Sequence, residues 1–135
     1  MEYPAKVLLA WGEAISGHSG LRDWLIKNGY PELGVFVFAM HHKEDARKWL
    51  LENGHPQLMA MLGGVEGDKR ALQWLDDHGM GVLKQMALAG DGDEPAFQWL
   101  VDQGHKELAV IAMKINKVKR EIDDDHNDPH KYSRD

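Results

Sequence analysis

Trp24, Trp49, Trp74 and Trp99 stand 25 residues apart, and each is followed directly by a leucine: Leu25, Leu50, Leu75 and Leu100. Five positions after each tryptophan comes a glycine (Gly29, Gly54, Gly79, Gly104), and four positions further another leucine (Leu33, Leu58, Leu83, Leu108). A fixed period of about 20–50 residues marks a stacked repeat array, in which no unit can bury its apolar face alone. Arrays of this kind usually present a surface to a partner rather than enclose a reaction.

Each unit reads as two short helices. In the fourth, Asp93 suits an N-cap and Pro95 the first turn, where a missing N–H costs nothing. Ala96, Trp99 and Leu100 fall at i, i+3, i+4 on one helical face. Gly104 then stops the helix, because glycine takes the left-handed conformation of a C-terminal stop. Leu108, Ile111, Ala112 and Ile115 form the apolar face of the second helix. The same reading fits Ala46, Trp49, Leu50 and Ala71, Trp74, Leu75 in first helices, and Leu33, Phe36, Val37 and Leu58, Met61, Leu62 in second helices. Pro31 and Pro56 open second helices, Asp68 repeats Asp93, and Ser19 reads as a helix cap. Stepping back one period from the second helices lands on Leu8, Trp11 and Ile15, with Gly17 in the place of Gly67 and Gly92.

The expected fold is therefore all-α: a right-handed α-solenoid of about four and a half helix-turn-helix repeats, without strands. Residues 1–122 form one repeat domain, with a half unit at 5–16 and units at about 19–42, 43–67, 68–92 and 93–122. Lys114, Lys117, Lys119 and Arg120 give the last helix a polar end, which reads as a solvated cap on a unit without a neighbour. Residues 123–135, DDDHNDPHKYSRD, are too polar to build a core and read as a mobile acidic tail.

The first-helix segments GDKRALQWLDDHG (67–79) and GDEPAFQWLVDQG (92–104) resemble the second helix of an ankyrin repeat, with its bracketing glycines at the same separation. LMAMLGGVEG (58–67) sits where the preceding ankyrin helix would. The T-P-L-H tetrapeptide does not occur, and only a few residues separate Gly54 from Leu58. A period of 25 rather than about 33 is what loss of the ankyrin β-hairpin finger would leave. The resemblance spans roughly residues 17–115 and implies a concave binding side on such an array.

Net charge is −6 and there is no cysteine. A net negative chain disfavours nucleic acid and anionic membranes, which need clustered cations, and the basic cluster Lys114, Lys117, Lys119 and Arg120 reads as a solvated cap, so neither is an expected partner. Disulfides and thiol catalysis are excluded, and the simplest compartment is the cytoplasm. The start lacks a basic n-region, and no run reaches the 18 apolar residues of a membrane span. Eight histidines invite a metal reading. His41 and His42 diverge at a helix end, His55 and His105 lie two units apart, and Asp123 to His130 lacks the glycine and glutamate of a calcium loop. No metal and no cofactor are expected. Asp76 and Asp77 have no partner base, and Ser16, Ser19 and Ser133 fit no nucleophile motif.

Trp24, Trp49, Trp74 and Trp99, with Leu33, Leu58, Leu83 and Leu108, are the expected core. A second apolar stripe lies off the main face of the second helices: Val35, Phe38, Met59, Leu88, Val110 and Met113. His41, Glu66 and Asp91 share one repeat position at its edge. Together these nine residues are the candidate partner-binding surface, an apolar centre with a polar rim. A mildly acidic rim favours a basic amphipathic segment of another protein. The expected function is that of a non-catalytic protein–protein interaction module. A self-associating structural protein, such as a homodimer, is the alternative, and a small enzyme of unknown reaction comes third.

Overall fold

A computed structural model of the chain describes residues 2–127. The helices, in chain order, are α1 (Ala5–Ile15), α2 (Ser19–Lys27), α3 (Pro31–Met40), α4 (Glu44–Glu52), α5 (Pro56–Val65), α6 (Lys69–Asp77), α7 (Gly81–Gly90), α8 (Glu94–Asp102) and α9 (Lys106–Asn127). Among the described residues there is no strand. The helices from α2 to α9 follow α1 through short connections of three residues each, such as 16–18 and 103–105.

Local chemistry sets the boundaries. Asp68 accepts a hydrogen bond from the Arg70 amide at 2.9 Å, and Asp93 one from the Ala96 amide at 2.9 Å. These caps satisfy amides that the first helical turn leaves without partners. At α2 the cap is His18, whose Nδ1 accepts from Leu21, and Ser19 is already helical. Pro31 and Pro56 occupy the first turns of α3 and α5. Gly17, Gly67 and Gly92 adopt left-handed φ at the ends of α1, α5 and α7. At the corresponding end of α3 the same conformation is held by His42, at φ 61°.

The odd-numbered helices form an inner layer. Trp11, Phe36, Met61, Met86 and Ile111, one per inner helix and all 25 residues apart, are almost wholly buried. Trp11 meets Phe36 edge-on at 5.4 Å between centroids. Leu33, Leu58, Leu83 and Leu108 are buried as well. Each even-numbered helix lies outside the two inner helices that flank it in sequence, so that α6, for example, packs on both α5 and α7.

The tryptophan ladder departs from the expectation. The deepest outer-helix side chains are Leu25, Leu50, Leu75 and Leu100, each fully buried, whereas Trp24, Trp49 and Trp74 are half-buried against the core and Trp99 is 37% exposed. The leucine, at the middle of the buried stripe, points between the two inner helices. The tryptophan one position earlier lies at the stripe's edge, and Trp49, Trp74 and Trp99 lie against His55, His78 and His105 just beyond their helices.

The two chain ends also differ from the expectation. α9 does not stop near 122 but runs through Asn127, so residues 123–127 are helical rather than tail; 128–135 lie outside the described residues. Nor is the last unit without a neighbour, for α9 packs along α1. A Cβ built on Gly12 would sit 3.3 Å from Lys114 Cδ, just as one on Gly64 would sit 2.8 Å from Ala87 Cβ. Residues 12 and 87 share one repeat position, and residues 64 and 114 share another. The two ends therefore meet through the contact that joins α5 to α7.

Candidate partner-binding surface

The structure spreads the nine expected surface residues over different environments. Val35, Phe38, Met59 and Leu88 are half-buried and pack against the core. Phe38 lies beneath the Arg22 guanidinium, 4.3 Å from its ring centroid. Val110 and Met113, on α9, are 42% and 53% exposed.

The expected rim is already engaged. Arg47 holds Glu66 in a fork, with both contacts at 3.0 Å, and donates its Nε–H to the Ala39 carbonyl. A bidentate pair of this kind is stronger than an ordinary surface ion pair. His42 stands beside it, 3.8 Å from Glu66. Lys119 donates to Asp91 at 2.7 Å. That bond, reinforced by the charges of Asp91 and Asp123 and opposed by slight burial, holds the Lys119 ammonium above its ordinary range. His41 is exposed at the end of α3. Two of the four cations read as a solvated cap thus have internal work, since Lys114 also reaches Glu13 at 3.1 Å.

A residue absent from the sequence-derived surface completes the picture. Leu9, on α1, is 66% exposed. It lines, with Val110, a shallow groove of about 180 Å³ along the seam between α1 and α9. Leu8, Gly12 and Ile111 form its floor, while Glu13, Lys106, Glu107 and Lys114 stand on its edges. Leu9 is hard to find by pattern, because Gly34, Met59, Lys84 and Ala109 at its repeat position share no chemical character. A second cleft, of about 300 Å³, lies where the last turns of α9 cross the ends of α3 and α5, lined among others by Met40, Val65, Lys119 and Ile122.

Other polar groups stay apart. Asp76 accepts from Lys84 at 2.6 Å and Asp77 from Gln73. Among the described residues no three His, Asp or Glu side chains converge as metal ligands would. The Tyr3 phenol is pushed up to about 12, first by burial and then by the adjacent Glu32 carboxylate. Several histidines serve as partners of the tryptophans: His55 stacks on Trp49 at 5.8 Å, His78 on Trp74 at 3.8 Å, and His105 lies tilted against Trp99 at 6.2 Å. No described helix is long and apolar enough to cross a membrane.

No protein-family model matches the chain, and no curated protein or solved structure matches it significantly.

Proposed function

We propose that this chain is a non-catalytic protein–protein interaction module of the cytoplasm. On this reading its helix pairs are ankyrin-like units stripped of the β-hairpin finger, wound as a right-handed α-solenoid tight enough for its ends to meet. The observation that carries the proposal is the groove between α1 and α9, where Leu9 and Val110 face solvent side by side. Contiguous exposed apolar side chains flanked by charges are the usual anatomy of an interface. Covering side chains of this size is worth about 1–2 kcal/mol each, enough for a reversible contact. With Glu66 and Asp91 committed to Arg47 and Lys119, charge gives less preference for a basic segment than the sequence suggested.

Self-association is the second reading, and the exposure of Met113 on the same helix as Val110 favours it. The mass in solution separates the two. A monomer that captures a defined partner from native cells, and loses it on Leu9→Asp with Val110→Asp, supports the module. A stable dimer dissolved by those substitutions supports self-association. Capture that ignores both substitutions moves the site elsewhere.

A further inference from the structure

The repeat itself indicates what belongs in the groove. Each outer helix packs on the two inner helices that flank it in sequence. For α6 the slot they form includes Gly63 of α5, where an added Cβ would meet Ala71 at 2.9 Å, and Lys84 of α7, which reaches Asp76. Two periods later, in α9, the residue corresponding to Gly63 is Met113, and in α1, three periods before Lys84, the corresponding residue is Leu9. Since α9 packs on α1, these two helices form a fifth slot of the same construction. Among the described residues no helix lies in it. Leu9 and Val110 are exposed there.

The chain's own residues at the corresponding place do not suit the slot. The outer helices carry an apolar residue, then Trp-Leu three positions on: Leu21, Trp24, Leu25; Ala46, Trp49, Leu50; Ala71, Trp74, Leu75; Ala96, Trp99, Leu100. One period further stand Glu121, Asp124 and Asp125. Lys117 replaces the glycine whose left-handed φ ends α1, α5 and α7, so α9 continues straight where the chain would have turned.

Resting on the interaction-module reading, we propose that the α1/α9 slot receives an amphipathic helix of another protein that imitates this chain's outer helices. The segment is about nine residues long, the length of α2, α4, α6 and α8. It presents a small apolar residue, an aromatic and a leucine at i, i+3 and i+4. The aromatic covers the slot's edge and the leucine enters between Leu9 and Val110. With Glu13 and Glu107 opposed by Lys106 and Lys114 on the edges, binding depends weakly on salt.

The test uses a helix-stabilised peptide of residues 93–104, DEPAFQWLVDQG, with a lactam joining positions 98 and 102, both exposed in α8. Expected is saturable one-to-one binding to the full chain. Leu9→Asp and Val110→Asp should each weaken it about tenfold or more, the loss typical of a removed interface anchor. Their helical signal and melting should stay unchanged, because both positions are exposed. A peptide with Asp at its Leu100 position should not bind. As a check independent of variant folding, a photoreactive group at the peptide's Trp99 position should cross-link wild-type α1 and α9. Absence of saturable binding overturns the proposal. So do affinity that both substitutions leave unchanged, cross-links to α7 (which would mean exchange with the chain's own α8), and a wild-type dimer that Leu9→Asp dissolves. Failure here, with a cellular partner still captured by the Leu9→Asp variant, leaves the interaction-module reading standing and removes only this site.

Discussion

Single side chains carry the sharpest contrasts. His42 holds a left-handed φ at a repeat position where Gly17, Gly67 and Gly92 stand. A side chain in that region costs about 1–2 kcal/mol, part of which glycine's extra flexibility offsets. Its contacts with Arg47 and Glu66 are long and exposed. His42→Gly should therefore stabilise by about 0.5–1 kcal/mol, read as a higher melting temperature; a lower one would mean that the Arg47 cluster depends on the imidazole. The tryptophans give a second contrast. Trp11 is fully buried and Trp99 is 37% exposed. Trp11→Ala should cost about 3–5 kcal/mol in denaturant titrations, and Trp99→Ala distinctly less. Equal losses would restore the ladder to the core. The period showed that Trp and Leu share a face, but not which of two adjacent residues stands at its centre, because that depends on where the two inner helices sit. Tyr3 supplies a pH dependence. Its phenol is pushed up from 10 to about 12 in the fold, so the neutral form is favoured by folding. The associated stability is complete below the unfolded value of 10 and is lost as pH rises through 12. A phenolate absorbance titration should show Tyr3 ionising near 12 rather than 10, and Glu32→Gln should lower that value, burial keeping it above 10.

Helix boundaries were largely legible, since caps, prolines and glycine stops act within a few residues. Where a unit lacks one of these signals, the sequence points to its own improvement. α7 begins at Gly81, the position held by Pro31 and Pro56 in α3 and α5. Met80 before it has φ −104° and ψ 55°, close to Tyr30 and His55, which precede those prolines. A Cβ at Gly81 would meet nothing within 4 Å. Gly81→Pro should stabilise by about 0.4–1 kcal/mol by restricting the unfolded chain. Gly64→Ala is the opposite case. Its Cβ would fall 2.7 Å from Leu72 and 2.8 Å from Ala87, and such overpacking costs about 1–3 kcal/mol. Thermal melts of the two variants should move in opposite directions, and a shared sign would show that α5 and α7 can separate. The end of α9 was less legible. Asp123 to Asp125 look like tail by composition, yet the helix continues because Lys117 supplies no stop and Lys119 bridges one turn to Asp123 at 3.7 Å.

Across the whole molecule, the meeting of α1 and α9 changes what an array does. The units of an open stack touch only their neighbours, so its terminal helices fray first. Here α1 has α9 beside it, joined by Gly12, Ile111 and the Lys114–Glu13 pair. Amide exchange in α1 and in the first turns of α9 should thus be as slow as in α5. Gly12→Val, which crowds Lys114, should speed exchange in both at once; acceleration in only one would show that they are held separately. This closure was not readable from the period, which fixes the relation of one unit to the next but not the angle between them. That angle follows from residue sizes at the helix contacts: small at Gly64, Ala87 and Gly90, where α7 nests against its neighbours, and bulky at Trp11 and Phe36. Meeting ends also limit how such a protein can diversify. An open stack lengthens by copying a unit, and gene duplication is its cheapest source of new surface. Duplicating residues 68–92 here would insert a helix pair between α1 and α9 along the chain and strain the contact between them. New specificity in this architecture has to come from substitution within units rather than from their number.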